Sequence, residues 1–272
     1  MKHNALSAAK SLALAAALVL SFSASAENFI IATEGAYAPF NYLNDQGQPD
    51  GYDIAVAKEV DALLDDVSFS YQAVEWSGIF AGLDAEKYQV IVSNVARNPQ
   101  REEKYLFGDV PYVWDATAVA YKKGRTDIHG LADLAGKSVK VAVGSSNAHI
   151  VESWNEQHDN AIKVIYGDGE VTKALLDVQE GRADATLVDP AVAALVIKSQ
   201  DLEVDYNVAP ETSIVPIYWL FVKNDAGEVL KHKVDAALKT LHENGTLKTL
   251  SERFFNGDFT TEEAVKHASQ HR

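Results

Sequence analysis

The chain has 272 residues with 24 Lys and Arg against 39 Asp and Glu, and it contains no cysteine. Its net charge of −15 argues against a nucleic-acid-binding protein, which needs a basic face to replace the counterions of phosphate. The lack of cysteine excludes disulfides, zinc–thiolate sites, iron–sulfur clusters, thiol nucleophiles and attachment of a lipid to cysteine.

Residues 1–26 have the pattern of a cleavable signal peptide. Lys2 and Lys10 supply positive charge, an apolar run covers residues 12–22, and Ala24-Ser25-Ala26 provides a small-x-small cleavage site. The alternative is a membrane helix, but the apolar run is about half the roughly 20 residues that a span needs. We therefore expect cleavage after Ala26 and an unlipidated protein in the periplasm.

The first half of the remaining chain alternates predicted strands and helices. Strands are predicted over residues 28–33, 67–74 and 89–94, and helices over 52–64 and 77–84. The segment around Pro99 is expected not to form a regular helix, because proline lacks an amide hydrogen. Residues 112–121 are typical of a long extended segment.

The same alternation restarts after Gly124. Strands are predicted over 137–143, 162–166 and 185–188, and helices from about Ala148 and over 170–179 and 190–199. Residues 214–222 are again extended, and helices follow over 227–244 and 247–255. The pattern predicts an α/β protein of two open lobes, each with a mostly parallel sheet. The first lobe comprises 27–114 and 214–272, the second comprises 115–213, and hinges are expected near 113–116 and 208–215.

Open α/β sheets bind ligands at the carboxyl ends of their strands, and three polar residues there have two interpretations each. Arg101 could clamp a carboxylate or form a surface salt bridge with Glu102 or Glu103. Ser146 could mark an anion site at a helix N-terminus, or it could be the N-cap. Asp189 could accept an ammonium group or cap the helix that begins at Pro190.

Aromatic residues also follow the predicted strands. Trp76 could lie over a ligand side chain or belong to the core, and Tyr37 and Phe40 could form the wall of the cleft or merely pack. A cation, an anion and aromatic walls together complement a free α-amino acid.

Five short motifs are arranged in an order that resembles a known family. The sequence resembles the periplasmic polar amino-acid binding proteins of ABC importers, the solute-binding family 3, and the runs at 104–107 and 256–258 look most like its cystine-binding branch. The motifs are residues 34–40, Gly51-Tyr52-Asp53, residues 99–101 with 105–112, residues 181–185 with Asp189, and Asn244-Gly245-Thr246.

The resemblance implies a two-lobed periplasmic-binding-protein fold of type II with the ligand between the lobes. It implies that Arg101 binds the α-carboxylate with backbone amides near Ala96 and Ser146, and that Asp189 binds the α-ammonium. Tyr37 and Trp76 would enclose the side chain. Further pocket residues would be Glu34, Ser93, Asn94 and Ser145. Ala96 stands where the family commonly has a hydroxyl, and Arg97 replaces an aliphatic residue and is expected to point outward.

The implied function is binding of a free polar L-amino acid, cystine or a related one, and its delivery to an ABC permease in the inner membrane. We expect a monomer with no nucleic-acid partner, no cofactor, no metal and no catalytic residues. Two alternatives remain: a periplasmic dehydratase acting on a cyclohexadienyl amino acid, with Glu34 as general acid, and a module that presents its ligand to a membrane sensor.

Overall fold

The structure, a computed structural model, describes residues 26–270, with side chains through residue 266. The predicted signal peptide lies outside these residues apart from Ala26. Within the described part of the chain, no helix is both long enough and apolar enough to cross a membrane. The architecture is mixed α/β with two sheet-containing lobes, as predicted.

The first lobe begins with alternating strands and helices. Its elements up to the first crossing are β1 (Glu27–Thr33), β2 (Ala36–Tyr37), β3 (Asn41–Leu43), β4 (Pro49–Asp50), α1 (Tyr52–Asp61), β5 (Val67–Ala73), α2 (Trp76–Asp84), β6 (Val90–Ile91), α3 (Pro99–Lys104), β7 (Leu106–Phe107) and β8 (Val113–Asp115). The small β2–β3–β4 sheet was not predicted from the sequence, because its strands are only two or three residues long.

The chain then forms the second lobe and returns to the first. The second lobe contains β9 (Ala118–Lys122), a short 3₁₀ turn (Ala132–Leu134), β10 (Ser138–Ala142), α4 (Ser146–Gln157), β11 (Lys163–Gly167), α5 (Val171–Gln179), β12 (Ala185–Val188), α6 (Pro190–Ser199) and β13 (Val204–Val208). The return comprises β14 (Val215–Ile217), β15 (Leu220–Phe221), α7 (Asp225–Glu243), α8 (Thr246–Phe255) and α9 (Glu262–Gln270).

Each lobe is built on a five-stranded sheet in which four strands share a direction. The first has the order β5-β1-β6-β15-β7, with β15 antiparallel to both neighbours. The second has the order β11-β10-β12-β9-β13, with β9 antiparallel to both neighbours. The sheets are therefore mostly parallel, as predicted, and each reversed strand is the first strand of its five-stranded sheet that forms after the chain has crossed from the other lobe.

Two crossing strands link the lobes. β8 pairs antiparallel with β14, so that Asp115 lies opposite Val215 and Val113 opposite Ile217. The two long extended segments of the prediction are each divided, because the chain changes sheet between β8 and β9 and between β14 and β15. Alternation of residue types along an extended run does not reveal which sheet each residue joins.

The first sheet is covered on both faces. Ile31 and Ala32 are adjacent in β1 and fully buried, but Ile31 packs with Val56 of α1 while Ala32 packs with Ile79 of α2. Successive residues of a strand point to opposite faces, so helices lie on both sides of the sheet. This layering leaves the carboxyl ends of the parallel strands as the open edge of the lobe.

The prediction that the Pro99 segment is not helical is wrong. Pro99 occupies the first position of α3, where its missing amide hydrogen costs no helical hydrogen bond. The side chain of Asn98 caps this helix by accepting a hydrogen bond from the amide of Arg101 at 2.8 Å. The short helix fixes Arg101 at its third residue, directed back toward the open edge.

Candidate functional site

A cavity of about 500 Å³ lies between the lobes, where the parallel strands of both sheets end. Its size is typical of sites for small organic ligands. Eight of the ten predicted site residues line it: Glu34, Tyr37, Trp76, Ser93, Asn94, Ala96, Ser145 and Ser146. Arg101 and Asp189 do not line the cavity themselves, but each contacts residues that do.

Arg101 is a buried cation held by both lobes. Its Nη1 donates to the carbonyl of Ala96 at 2.8 Å and to Ser146 Oγ at 3.4 Å, and Nη2 donates to the carbonyl of Gly144 at 2.9 Å. The guanidinium carbon lies 4.8 Å from the ring centre of Phe80. No carboxylate of the described residues forms an ion pair with Arg101. The alternative of a surface salt bridge with Glu102 or Glu103 is therefore wrong.

Burial lowers the pKa of Arg101 to about 10, because loss of water disfavours its charged form. The side chain therefore remains a cation at neutral pH, with its charge directed to carbonyl oxygens rather than to an acid. Such a group gains most from an added carboxylate, which can accept two parallel hydrogen bonds from the guanidinium.

The N-terminus of α4 faces Arg101 from the second lobe. The N-cap is Ser145, whose Oγ accepts a hydrogen bond from the amide of Ala148 at 3.0 Å, and not Ser146 as considered from the sequence. The helix begins two residues earlier than predicted, because the cap is the first serine of the turn. Ser146 is thus left free to present its hydroxyl to the Arg101 guanidinium.

Asp189 caps α6, and its carboxylate accepts hydrogen bonds from the amides of Ala191 at 2.6 Å and Val192 at 3.1 Å. Its own amide donates to the Tyr37 hydroxyl at 3.4 Å, which joins the two lobes. The carboxyl group also contacts that of Asp115, a cavity-lining residue of β8. The capping interpretation is therefore correct, and the ammonium interpretation stays a prediction.

Ser93 and Asn94 follow β6 and are ordered by hydrogen bonds. Ser93 Oγ accepts from the amide of Glu34 at 2.9 Å, which links the ends of β1 and β6. Asn94 has φ 48°, and its Nδ2 donates to Asp115 Oδ2 at 3.0 Å. Asparagine tolerates this left-handed conformation better than most residues, so the turn brings its amide to the cavity.

The aromatic residues divide between wall and core. Trp76 lines the cavity, and its Nε1 donates to the carbonyl of Val143 in the second lobe at 3.1 Å. Tyr37 also lines the cavity and stacks on Phe40, with ring centres 5.8 Å apart. Phe40 is only 2% exposed and packs on Phe255, so it belongs to the core.

Arg97 borders the cavity, but its guanidinium is engaged elsewhere. It lies 4.0 Å from the ring centre of Tyr218, donates to the carbonyl of Gly108 and contacts Glu102 at 3.5 Å. The guanidinium of Arg97 thus points away from the cavity and toward the partly exposed surface, as expected from the sequence.

Several acids of the cavity were missed by the sequence reasoning. Asp115 lies on the crossing strand, and Asp168 and Glu170 lie in the turn after β11. One signal pointed to Asp115, since it is the single charged residue in the apolar run from 112 to 121. The two residues after β11 gave no such signal, because acidic turns are common on protein surfaces.

Glu34 and Glu170 approach each other from opposite lobes. Burial raises the pKa of Glu34 from 4.5 to about 7, and repulsion from Glu170 adds to this effect. The folded protein therefore holds this proton at pH values where the unfolded chain has released it. Stability contributed by the neutral carboxyl is present below pH 4.5 and is lost as the pH rises to about 7.

Glu34→Gln is expected to stabilise the protein at alkaline pH. Above pH 7 the buried charge costs the wild type about 3 kcal/mol relative to its unfolded state, and the variant avoids this cost. Denaturant unfolding at about pH 5 and about pH 8 measures the difference between the two proteins, which should grow with pH. Glu59→Gln removes an exposed carboxylate from α1 and serves as control. A Glu34→Gln effect that does not change with pH contradicts the prediction.

Comparison with known protein families gives a match over most of the chain. Residues 29–257 match the model of the bacterial extracellular solute-binding proteins, family 3. The chain belongs to this family. The resemblance seen in its motifs is thereby confirmed.

Three relatives indicate the range of functions around this member of the family. The L-cystine-binding protein TcyJ of Bacillus subtilis is 30% identical over 235 residues, with 86% of each chain covered. A solved structure reported for glutathione import in Gram-positive bacteria, via GshT and the cystine ABC importer TcyBC of Streptococcus mutans, is 30% identical. It has a TM-score of 0.79 and covers 86% of this chain and 97% of its own. The structure of AncCDT-1, an ancestral amino-acid-binding protein and precursor of cyclohexadienyl dehydratase, is 26% identical with a TM-score of 0.70, covering 84% and 95%.

Proposed function

We propose that this member of family 3 binds a free polar L-amino acid between its lobes, with cystine as the first candidate, and delivers it to an ABC permease. The observation that carries the proposal is the placement of Arg101. A buried guanidinium without a carboxylate partner among the described residues borders the cavity at Ala96 and Ser146. A ligand carboxylate is the partner that best suits it.

Acidic side chains lie at another part of the same cavity. Asp115 lines the cavity and contacts Asp189, which caps α6. An amino acid placed with its carboxylate toward Arg101 and its ammonium toward these acids satisfies both ends. Tyr37 and Trp76 then enclose its side chain, and Glu34 offers an acceptor for a polar or cationic group there. Ala96 has no hydroxyl group, so only its backbone can take part in ligand binding.

The two lobes are joined across the cleft by the same residues. Arg101 and Trp76 of the first lobe bond to the carbonyls of Gly144 and Val143 of the second. A ligand that binds between these groups favours the arrangement in which the lobes meet. The meeting of the lobes is the signal that a permease would recognise. Membership of a family of extracellular solute-binding proteins supports this role.

A thermal-shift screen tests the proposal. The purified mature protein, with any co-purified ligand removed by partial unfolding and dialysis, is mixed with each common L-amino acid, L-cystine or glutathione. Glutathione is included because a structural relative is connected with its import. A ligand at 100 times its Kd stabilises the folded state by about 2.7 kcal/mol. Stabilisation by one or a few of these compounds is expected, and stabilisation by none of them contradicts the proposal.

A second candidate function is a dehydratase acting on a cyclohexadienyl amino acid. Two observations favour it: the pKa of Glu34 is raised to about 7, which suits a general acid, and AncCDT-1 is a structural relative. Incubation with such a substrate, followed by mass spectrometry, separates turnover from binding. Loss of water from the substrate that stops in Glu34→Gln supports the enzyme, while an unchanged substrate supports the binding protein.

A further inference from the structure

Asp53 is a completely buried carboxylate that does not line the cavity. It lies in the first turn of α1, as the last residue of the Gly51-Tyr52-Asp53 motif. Within the described part of the chain, no Lys, Arg or His forms an ion pair with it. Burial of a carboxylate without a cation is costly unless hydrogen bonds satisfy its oxygens. The donors that reach Asp53 therefore indicate its role.

The first donor connects Asp53 to the turn after β1. Asn41 Nδ2 donates to Asp53 Oδ2 at 2.8 Å, and Asn41 Oδ1 accepts a hydrogen bond from the amide of Gly35 at 2.9 Å. Gly35 has φ 75° and directly follows Glu34, which lines the cavity. Because the carboxylate can only accept, it makes the nitrogen of Asn41 face it and leaves the oxygen of Asn41 for Gly35.

The second donor connects Asp53 to the turn after β6 and to a crossing strand. The Tyr112 hydroxyl donates to Asp53 Oδ1 at 2.8 Å and accepts from the backbone amide of Asn94 at 3.3 Å. Asn94 lines the cavity, and Tyr112 directly precedes β8. The carbonyl of Tyr112 accepts from the Tyr52 hydroxyl at 2.6 Å, which fixes the position of the ring.

These two chains of hydrogen bonds meet at one carboxylate. Asn41 and Tyr112 both give a hydrogen to Asp53, so a group with two acceptor oxygens and no hydrogen of its own satisfies them. Burial raises the pKa of Asp53 to about 7, against the opposing effect of its hydrogen bonds. At about pH 8 the carboxylate is therefore ionised and accepts from both donors.

We propose that Asp53 is a positioning residue for ligand binding, because it holds the turns after β1 and β6 in the arrangement that forms the cavity wall. It acts through Asn41 and Tyr112 and does not itself touch the ligand. A shift of either turn displaces a cavity-lining side chain, Glu34 or Asn94, and weakens the contacts that this side chain makes with the ligand. The inference rests on the proposed function, because it takes the cavity to be a ligand site.

A role in stability alone is the alternative. A negative charge in the first turn of a helix is favourable, and Asp53 has this position in α1. The two roles differ in their effect on affinity. A variant that is less stable but still folded binds its ligand with unchanged affinity, unless the site itself has moved.

Asp53→Asn keeps the shape of the side chain and removes one acceptor. Whichever way the new amide turns, one of the two hydrogen-bond chains is broken. The probe is the compound of the thermal-shift panel that gives the largest shift, titrated by calorimetry at about pH 8. Its affinity for Asp53→Asn should be about 10- to 100-fold weaker than for the wild type, the effect usual for residues that orient a binding group. Unchanged affinity in a folded Asp53→Asn protein overturns the inference.

Exchange of the two side chains should restore the network. In the double variant that combines Asn41→Asp with Asp53→Asn, the new carboxylate can accept from the amide of Gly35 and from the new amide. The oxygen of that amide can accept from Tyr112. The double variant is expected to recover most of the affinity lost by Asp53→Asn. Affinity that stays as low in the double variant overturns the inference, since the same hydrogen bonds are then present without their effect.

Asp184→Asn is the matched control for loss of stability. Asp184 accepts hydrogen bonds from the amide of Ser138 at 2.9 Å and from its hydroxyl at 2.8 Å. The two residues lie at the amino ends of β12 and β10, whereas the cavity lies at the carboxyl ends of these strands. Asp184→Asn should be less stable and bind the probe like the wild type. An equal loss of affinity in this variant overturns the inference, because destabilisation then accounts for the effect.

Amide hydrogen exchange, followed by NMR, tests the positioning without a ligand. In Asp53→Asn, the amide of Gly35 or that of Asn94 should exchange faster than in the wild type, because its acceptor is no longer held in place. Unchanged exchange at both amides overturns the inference. If Asp53→Asn does not fold, Tyr112→Phe takes its place, since it removes only the hydroxyl that accepts from Asn94.

The two measurements separate this inference from the proposed function. Binding of a compound to the wild type together with unchanged affinity in Asp53→Asn overturns the inference and leaves the proposed function standing. Failure of every compound to bind the wild type overturns the proposed function. In that case exchange at the Gly35 and Asn94 amides decides whether Asp53 holds the two turns.

Discussion

Replacing Arg101 with alanine is expected to weaken amino-acid binding at least about 100-fold, because truncation of one partner of a buried charge pair costs about 2–5 kcal/mol. The carbonyls of Ala96 and Gly144 accept hydrogen bonds from the guanidinium, so the protein itself fixes the orientation of this group. The side chain contributes no ion pair to the described fold, and the variant should remain folded. Calorimetry with the screened ligand measures the loss, and circular dichroism checks the fold.

Two variants act as controls for the Arg101→Ala protein. Arg101→Lys keeps the positive charge but cannot offer two parallel hydrogen bonds, so a partial loss of about tenfold is expected. Arg253→Ala removes an exposed guanidinium that lies over Phe254 in α8, and it should bind like the wild type. An Arg101→Ala protein that binds with unchanged affinity would falsify the placement of the ligand carboxylate.

Gly51→Ala is expected to destabilise the fold by about 3–5 kcal/mol, the largest stability effect that we predict for a single methyl group. Gly51 precedes α1 with φ 113° and ψ −175°, a region that is almost restricted to glycine. An added Cβ would also lie 2.4 Å from the carbonyl oxygen of Phe40. Neither the backbone of Phe40 nor the start of the helix can move away, since the amide of Asp53 donates to that same oxygen at 2.9 Å.

Gly47→Ala separates backbone strain from overlap. Gly47 has φ 72°, but no atom lies within 4 Å of its hypothetical Cβ. Its replacement should therefore cost about 1–2 kcal/mol, the penalty of the left-handed conformation alone. Denaturant unfolding of both variants measures the two costs. Equal losses at the two positions would show that overlap with Phe40 contributes nothing.

The bounds of several elements were predictable because their signals are local. Strand β12 and helix α6 have the predicted ends, since Asp189 caps the helix and Pro190 occupies its first turn. At Pro99 a similar combination was misinterpreted. Asn98 and Pro99 are also a cap followed by a first-turn proline, and the rule that proline interrupts helices was applied where the rule for helix starts holds.

The candidate site was predictable in part for the same reason. Five of the ten residues were chosen because they follow predicted strands, and the resemblance to the family supplied the other five. Eight of the ten line one cavity, since parallel strands of a sheet end at the same edge. Arg101 and Asp189 lie next to this cavity, in contact with residues that line it. Their position behind the cavity wall depends on the side chains of Ala96, Ser146 and Asp115, which pattern and spacing do not fix.

The sequence by itself determined the fold class, the alternation of strands and helices and membership of the family, because motifs, caps and periodicity act over short stretches of chain. Tertiary structure alone decided that Asp115 meets Asp189 and that Glu34 meets Glu170. Those residues come from segments far apart in the chain, and their protonation depends on the loss of water and on the charges that packing places beside them. The acidic composition of the chain is therefore partly explained by the cavity, which several acids line. Burial and neighbouring carboxylates raise the pKa of Glu34 and of Asp115 there.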